Sequence, residues 1–320
     1  MKFSVIIPLY NKAPYVKKAL ESVCRQTYSD YELIVINDGS TDDSCTIAEE
    51  YLRDIDGVNY RLITQENQGV SAARNNGIAK SKGEYVAFLD ADDWWEPTFL
   101  EKMATLIEDY PDAGLYASNY YYHKDGKNIV KVDIPTGYFN YPHEYYKNFA
   151  MPVTSISVVI PRNIHEETGG FPMGIKLGED FLLWAKIALS YPVAFLNEPL
   201  AYYNNTLPPN HRATYKLHRP EEHMLFKLGL LGDEAMGLFG EQNNDWRRLI
   251  DMLRIHGLYD YWLSDEYHDI AQEELDKVYW NNQHDFLIKM YDSPRWYLKI
   301  KQKSLRIASQ IKRKLRNIKS

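Results

Sequence analysis

The sequence is poor in cysteine, in long apolar runs and in acidic residues near its C-terminus. Cys24 and Cys45 are the only two cysteines in 320 residues. Both fall in segments patterned as helices, so neither a disulfide framework nor a cysteine-based zinc site is implied. The apolar run at residues 3–9 contains Pro8 and is too short for a signal h-region or a membrane span. A reducing, cytoplasmic location is expected. No G-x-G-x-x-G follows the first strand pattern, which disfavours a nicotinamide dinucleotide, and no G-x-x-x-x-G-K-[ST] occurs, which excludes a P-loop protein. Residues 293–320 hold ten Lys or Arg and no Asp or Glu. A tail of +10 inside a net charge of −7 leaves −17 on the other 292 residues. That acidic body does not suit nucleic acid.

What is present fits a soluble chain with one sizeable core and a second region: 45% hydrophobic and 25% charged residues, and no internal repeat. Aromatics reach 14%, with 26 tyrosines, compatible with rings packed on sugars or with a tyrosine-rich core. Strand patterns at 3–8, 32–37, 60–64 and 85–89 alternate with helix patterns at 14–25, about 40–52, 70–79 and 97–109. This repetition predicts an α/β fold with helices on both faces of the sheet. Strands at 115–122 and 129–132 are joined by Lys124-Asp125-Gly126-Lys127, a hairpin signal. A strand at 156–160, a helix at 180–190 and a short strand at 193–195 follow. Beyond Thr214 the pattern is helical, at 221–231, 245–262, 266–278 and 284–291.

Asp90-Ala91-Asp92-Asp93 closes the fourth strand. Three carboxylates crowd into four positions, an arrangement that calls for an offsetting cation. Oxygen-only ligation suits Mg²⁺ or Mn²⁺. In a doubly wound sheet, ligands bind beyond the carboxyl ends of the strands. Four unusual segments lie at those ends: Pro8-Leu9-Tyr10-Asn11, Asn37-Asp38-Gly39-Ser40, Gln65-Glu66-Asn67-Gln68-Gly69 and the aspartate run. They offer an aromatic face, a carboxylate on a glycine turn, a helix carrying Arg74 within reach of a phosphate, and a metal site. A phosphatase with an aspartyl nucleophile would place its Asp-x-Asp after the first strand. A nucleotidyltransferase would show a glycine-rich phosphate loop there, and Tyr10-Asn11-Lys12 is not one.

Ser4-Val5-Ile6-Ile7-Pro8-Leu9-Tyr10-Asn11, Ile36-Asn37-Asp38-Gly39-Ser40-Thr41-Asp42, Asn67-Gln68-Gly69-Val70-Ser71-Ala72-Ala73-Arg74-Asn75 and Phe88-Leu89-Asp90-Ala91-Asp92-Asp93 together resemble the signatures of family 2 inverting glycosyltransferases. The resemblance covers roughly residues 1–205. It implies a GT-A fold, here a mixed sheet with helices on both faces and a helical C-terminal region. It also implies a nucleotide-diphosphate sugar donor, UDP-linked by preference, and Mn²⁺ or Mg²⁺. The donor set it implies is Pro8, Tyr10, Asn11, Asp38, Arg74, Asp90 and Ala91, with Asp92 and Asp90 at the metal. Asn37 stands where many members have Asp.

Gly169-Gly170-Phe171-Pro172 and Gly178-Glu179-Asp180 resemble the family's segment in which the Asp is the general base, so Asp180 is the expected catalyst. Sugar transfer needs the attacking hydroxyl deprotonated opposite the departing diphosphate, and one carboxylate suffices. Glu179, Trp94, Trp95 and His211 are candidates for acceptor or lid contacts. No Q-x-x-R-W segment occurs, which favours one sugar per acceptor. The domains expected are residues 1–213 for transfer, 214–292 helical, and 293–320 a basic amphipathic tail. In the tail Ile300, Ile307, Ile311, Leu315 and Ile318 share one helical face within a basic field. Such a helix suits an anionic membrane surface, which would bring the enzyme to a glycan or lipid-linked glycan acceptor at the cytoplasmic face of the inner membrane. The rival from another class is a catalytically silent sugar-nucleotide binder or scaffold.

Overall fold

The computed structural model describes residues 1–206, 216–239, 244–278, 291 and 293–301. The chain divides into two compact units, Met1–Trp246 and Arg247–Ser320. In the first, β1 (Phe3–Leu9), β2 (Tyr31–Asp38), β3 (Asn59–Gln65) and β4 (Tyr85–Phe88) run parallel, with α1 (Val16–Cys24), α2 (Ser44–Arg53) and α3 (Val70–Lys80) between them. The strands β1 and β2 are near-continuous runs of branched apolar residues, the pattern of a sheet covered on both faces. Successive side chains in β2 point to opposite layers. Leu33 and Val35 join the large core with α1, α2 and α4 (Phe99–Asp109), whereas Ile34 and Ile36 pack with Ala73 of α3.

Beyond β4 the sheet becomes mixed. The order is β3-β2-β1-β4-β9-β6-β10-β5, with β7 beside β6 and β8 beside β10. Here β5 is Trp94–Trp95, β6 Leu115–Lys124, β7 Lys127–Ile129, β8 Gly137–Phe139, β9 Val158–Pro161 and β10 Val193–Asn204. The expected hairpin joins β6 to β7 with Asp125 and Gly126 both at positive φ, as a type I′ turn requires. Three further helices lie between β8 and β10: α5 (Tyr141–Asn148), α6 (Arg162–Thr168) and α7 (Glu179–Ser190).

Among the described residues beyond Thr214 the regular structure is helical, as the pattern predicts, with α8 (Leu228–Phe239), α9 (Asn244–Gly257), α10 (Tyr259–Leu263) and α11 (His268–Leu275); the expected helix at 221–231 opens in two 3-10 turns, and the one at 245–262 is broken at Leu258. Within the second unit, Arg254 Nε pairs with Glu274 at 3.2 Å and Arg295 donates to the Ser264 carbonyl at 2.7 Å. Residues 295–301 are helical. The segment 284–290, expected to be helical, most of the tail and His211 lie outside the described residues.

Candidate active site

Strand register brings the site together. Leu9 aligns with Asn37, Asp38 with Gln65 and Ile6 with Phe88, so the four loops leave one edge of the sheet side by side. Antiparallel β9 begins at that edge and parallel β6 and β10 end there, adding residues 155–157, 120–122 and 202–204.

The loops are tied to one another. The Asn11 side chain accepts from the Thr41 amide at 2.8 Å and from Asp42 at 3.3 Å, with its own φ at 51°. Asp38 is buried, and its carboxylate accepts from Gln65 Nε2 (2.8 Å), the Gln68 amide (3.0 Å) and the Gly69 amide (2.9 Å). Asn11 and Asp38, both expected to meet the donor, tie the loops to one another. Tyr10 is 46% exposed and presents its ring to solvent. Pro8 is half-buried in β1. The buried methyl of Ala91 leaves its backbone as the group that can serve a ligand.

Arg74 is only 2% exposed. One terminal nitrogen holds Asp90 at 2.8 Å and the other Glu179 at 2.9 Å, above the Phe171 ring. Burial alone would lower its pKa, but Asp90, Glu179 and Asp180 hold it above the ordinary range. The free guanidinium expected to reach a phosphate is therefore a bridge between two carboxylates, because burial demands that its charge be paired. Burial first, and the charge of Asp180 second, push Glu179 up to about 7 against the pull of Arg74. Next along α3, Asn75 clamps the Phe171 backbone, donating to its carbonyl at 2.9 Å and accepting from its amide at 3.0 Å.

In the aspartate run the three carboxylates diverge in role. Asp93 accepts from the Asn204 amide at 2.6 Å and fastens the loop to β10. Burial, with Asp92 and Asp90 adding to it, raises Asp93 well above the usual carboxylate range. Asp92 is also raised by burial, and Lys12 opposes that by placing Nζ 2.6 Å from Oδ2. Asp90 and Asp92 remain as the oxygen pair. Among the described residues no three His, Cys, Asp or Glu side chains converge as a metal cage. Two carboxylates still fit Mg²⁺ or Mn²⁺, which complete their shells with phosphate oxygens and water. The Lys12 ammonium balances the charge of Asp92, and Arg74 that of Asp90.

Asp180 is the second residue of α7. Its Oδ1 accepts from the Phe181 amide at 2.8 Å and its Oδ2 from Ser155 Oγ at 3.0 Å. Gly178, at φ +83°, turns the chain into the helix, and a Cβ there would strike Met224. Trp95 is 3% exposed, stacked on Phe99 with centroids 4.1 Å apart, and its indole donates to the Ile156 carbonyl. It belongs to the core and has no face for a sugar. Trp94 stacks on Tyr202 with centroids 5.0 Å apart and carries the Lys18 ammonium over its ring, so it is likewise spent on packing.

Lys12, Ser155 and Asn204 were not singled out by sequence reasoning. Lys12 follows the first motif directly, so the adjacency was there to be used. Ser155 and Asn204 reach the site only through antiparallel pairing and a crossover, which local pattern does not encode.

The sequence model of Glycosyl transferase family 2 matches residues 4–174, more than half of the chain. Putative glycosyltransferase EpsH of Bacillus subtilis is 39% identical over 261 residues, covering 78% of this chain and 72% of EpsH. Glycosyltransferase GlyA of Streptococcus pneumoniae is 35% identical over 218 residues, 63% of this chain but 30% of GlyA, so the match spans under a third of that relative. Among solved structures, S. aureus TarS 1-349 in complex with UDP-GlcNAc superposes with a TM-score of 0.71 at 20% identity, over 87% of this chain and 79% of that one. The signature motifs, the mixed sheet and these matches place the chain in glycosyl transferase family 2, with the GT-A fold.

Proposed function

We propose that the chain transfers a sugar from a nucleotide-diphosphate donor, a UDP-sugar by preference, to a hydroxyl of a glycan or lipid-linked glycan, with inversion and one sugar per acceptor. Its catalytic domain is residues 1–213, followed by a helical region (214–292) and a basic tail (293–320). The observation that carries the reading is the Arg74 bridge. It holds Asp90 of the aspartate pair and Glu179, the neighbour of Asp180, on one buried guanidinium. A leaving-group site and a base site are thereby kept at fixed separation, the requirement of a single displacement.

Asp90 and Asp92 would hold Mn²⁺ or Mg²⁺, which supplies Lewis-acid stabilisation of the departing diphosphate. Tyr10 offers its exposed ring to the base. Asp180 receives the acceptor hydroxyl proton as the new C–O bond forms and the old C–O bond breaks, its electron pair leaving with the diphosphate. A binding site for UDP-GlcNAc in TarS makes that donor the first to test. Among the described residues no helix is long and apolar enough to cross a membrane. Trp296, 66% exposed on a helical turn beside Lys299 and Lys301, supports peripheral attachment of a cytoplasmic enzyme to an anionic surface.

The test is Asp180→Asn with UDP-GlcNAc and Mn²⁺. Turnover should fall roughly 10²–10⁴-fold while donor binding persists. Binding without turnover in the wild-type chain, across a panel of donors and acceptors, would instead support a silent sugar-nucleotide binder. A product that retains the donor's anomeric configuration would rule out single displacement.

A further inference from the structure

Asp180 is half-buried at the head of α7, and among the described residues Ser155 is the one side-chain donor to its carboxylate. The backbone amide of Phe181 holds the other oxygen. Ser155 itself is 4% exposed and sits in the 3-10 turn Ser155–Ser157, directly ahead of β9. That turn is closed by the Ser157 amide donating to the Thr154 carbonyl at 3.0 Å. It is pinned to the core by the Trp95 indole, 2.6 Å from the Ile156 carbonyl. The Oγ of Ser155 is therefore fixed relative to the sheet, while Asp180 belongs to a helix. Three buried phenols, Tyr120, Tyr141 and Tyr145, lie within electrostatic reach of Asp180. Tyr120 gives its hydrogen to the Met151 carbonyl, and the buried Tyr141 hydroxyl has no hydrogen-bond partner among the described residues.

We infer that Ser155 is a positioning residue for the transfer reaction, fixing the plane of the Asp180 carboxylate so that its remaining lone pairs meet the acceptor hydroxyl. The inference rests on Asp180 being the base. A carboxylate's terminal torsion is broad and intrinsically weakly restrained. With one oxygen on the amide of its own helix and the other on a hydroxyl anchored in the sheet, that torsion is set by two independent elements. The Ser155 proton stays on Oγ throughout, and only the acceptor proton moves, to Asp180. No donor contact is assigned to Ser155, so its effect belongs to kcat and not to the donor KM.

The experiment is a cycle of wild type, Ser155→Ala, Asp180→Asn and the double variant, measured for kcat, donor KM and melting temperature. Ser155→Ala should lower kcat about 10- to 100-fold, the scale on which misplaced groups act. The donor KM should stay within about 2-fold, and the double variant should be no slower than Asp180→Asn alone, because a positioning residue has nothing left to position. Ser155→Thr keeps the hydroxyl and should recover most of kcat. A Ser155→Ala rate within about 2-fold of wild type overturns the inference. So does an equal Ser155→Ala penalty in the Asp180→Asn background, or a Ser155→Thr variant as slow as a folded Ser155→Ala. If Ser155→Ala fails to fold, Ser155→Thr near the wild-type rate supports the inference, and a folded but slow Ser155→Thr overturns it. A wild-type rate for Asp180→Asn would instead remove the base assignment, whatever Ser155 does.

Discussion

Replacing Arg74 with Met keeps much of the side-chain volume but removes the buried charge that joins the buried Glu179 to the half-buried Asp90. Among the described residues Arg74 Nε has no hydrogen-bond partner, so the loss falls on the contacts to Asp90 at 2.8 Å and Glu179 at 2.9 Å. Breaking a buried pair from one side costs roughly 3–5 kcal/mol, because the surviving charges remain desolvated. For a domain of this size that corresponds to a melting temperature lower by roughly 6–20 °C. The loss should depend on pH. Glu179 is raised from 4.5 to about 7 in the folded chain, so it favours folding fully below pH 4.5 and loses that contribution as pH rises through 7. Without Arg74 its pKa climbs further, and the ionised form becomes costlier. The deficit of Arg74→Met should therefore be larger at pH 8 than at pH 5.5. Thermal unfolding followed by circular dichroism at both pH values measures it. A variant within about 2 °C of wild type at pH 8, or a deficit that shrinks as pH rises, would refute the bridge as a stabilising element.

Three other perturbations follow from the site. Asp92→Ala should abolish Mn²⁺ binding, read by the spin-resonance signal of free Mn²⁺ in the presence of UDP; undiminished binding would remove Asp92 from the metal site. Gly178→Ala forces a side chain into a left-handed conformation, at roughly 1–2 kcal/mol, and against Met224. It should lower both stability and kcat, and a fully active, equally stable variant would mean that the turn does not hold Asp180. A chain shortened to Pro294 should lose co-sedimentation with anionic liposomes while the full chain keeps it in a salt-sensitive way; equal binding by both would dismiss the tail as a membrane contact.

Legibility from sequence followed the range of the interactions. The alternating half, through Phe88, could be read nearly to the residue because each buried strand and amphipathic helix carries its own period. Val193–Asn204 was read as a three-residue strand because Asn197, Glu198 and Pro199 interrupt its apolar run. Those residues lie at the register shifts against β6, which local pattern does not reveal. The short β8 and the helices α5 and α6 were missed for lack of a clean period. Within the site, residue types were legible and pairings were not. Arg74 was expected to reach a phosphate, and that its charge is spent on Asp90 and Glu179 depends on a helix more than a hundred residues away. Trp95 beside the aspartate run suggested a sugar platform, and only its burial against Phe99 assigns it to the core.

The side chains that lace the loops together have a consequence for how new specificities arise. Asn11 grips Thr41 and Asp42, Asp38 grips Gln68 and Gly69, Arg74 grips Asp90 and Glu179, and Lys12 grips Asp92. Such a chain of mutual dependence cannot be edited one link at a time, since each replacement strands the partner it leaves behind. The laced loops should therefore be inherited as a block across lineages that use quite different acceptors. Point changes among the motifs are the route to losing activity, and a redirected specificity calls for exchanging the laced loops together.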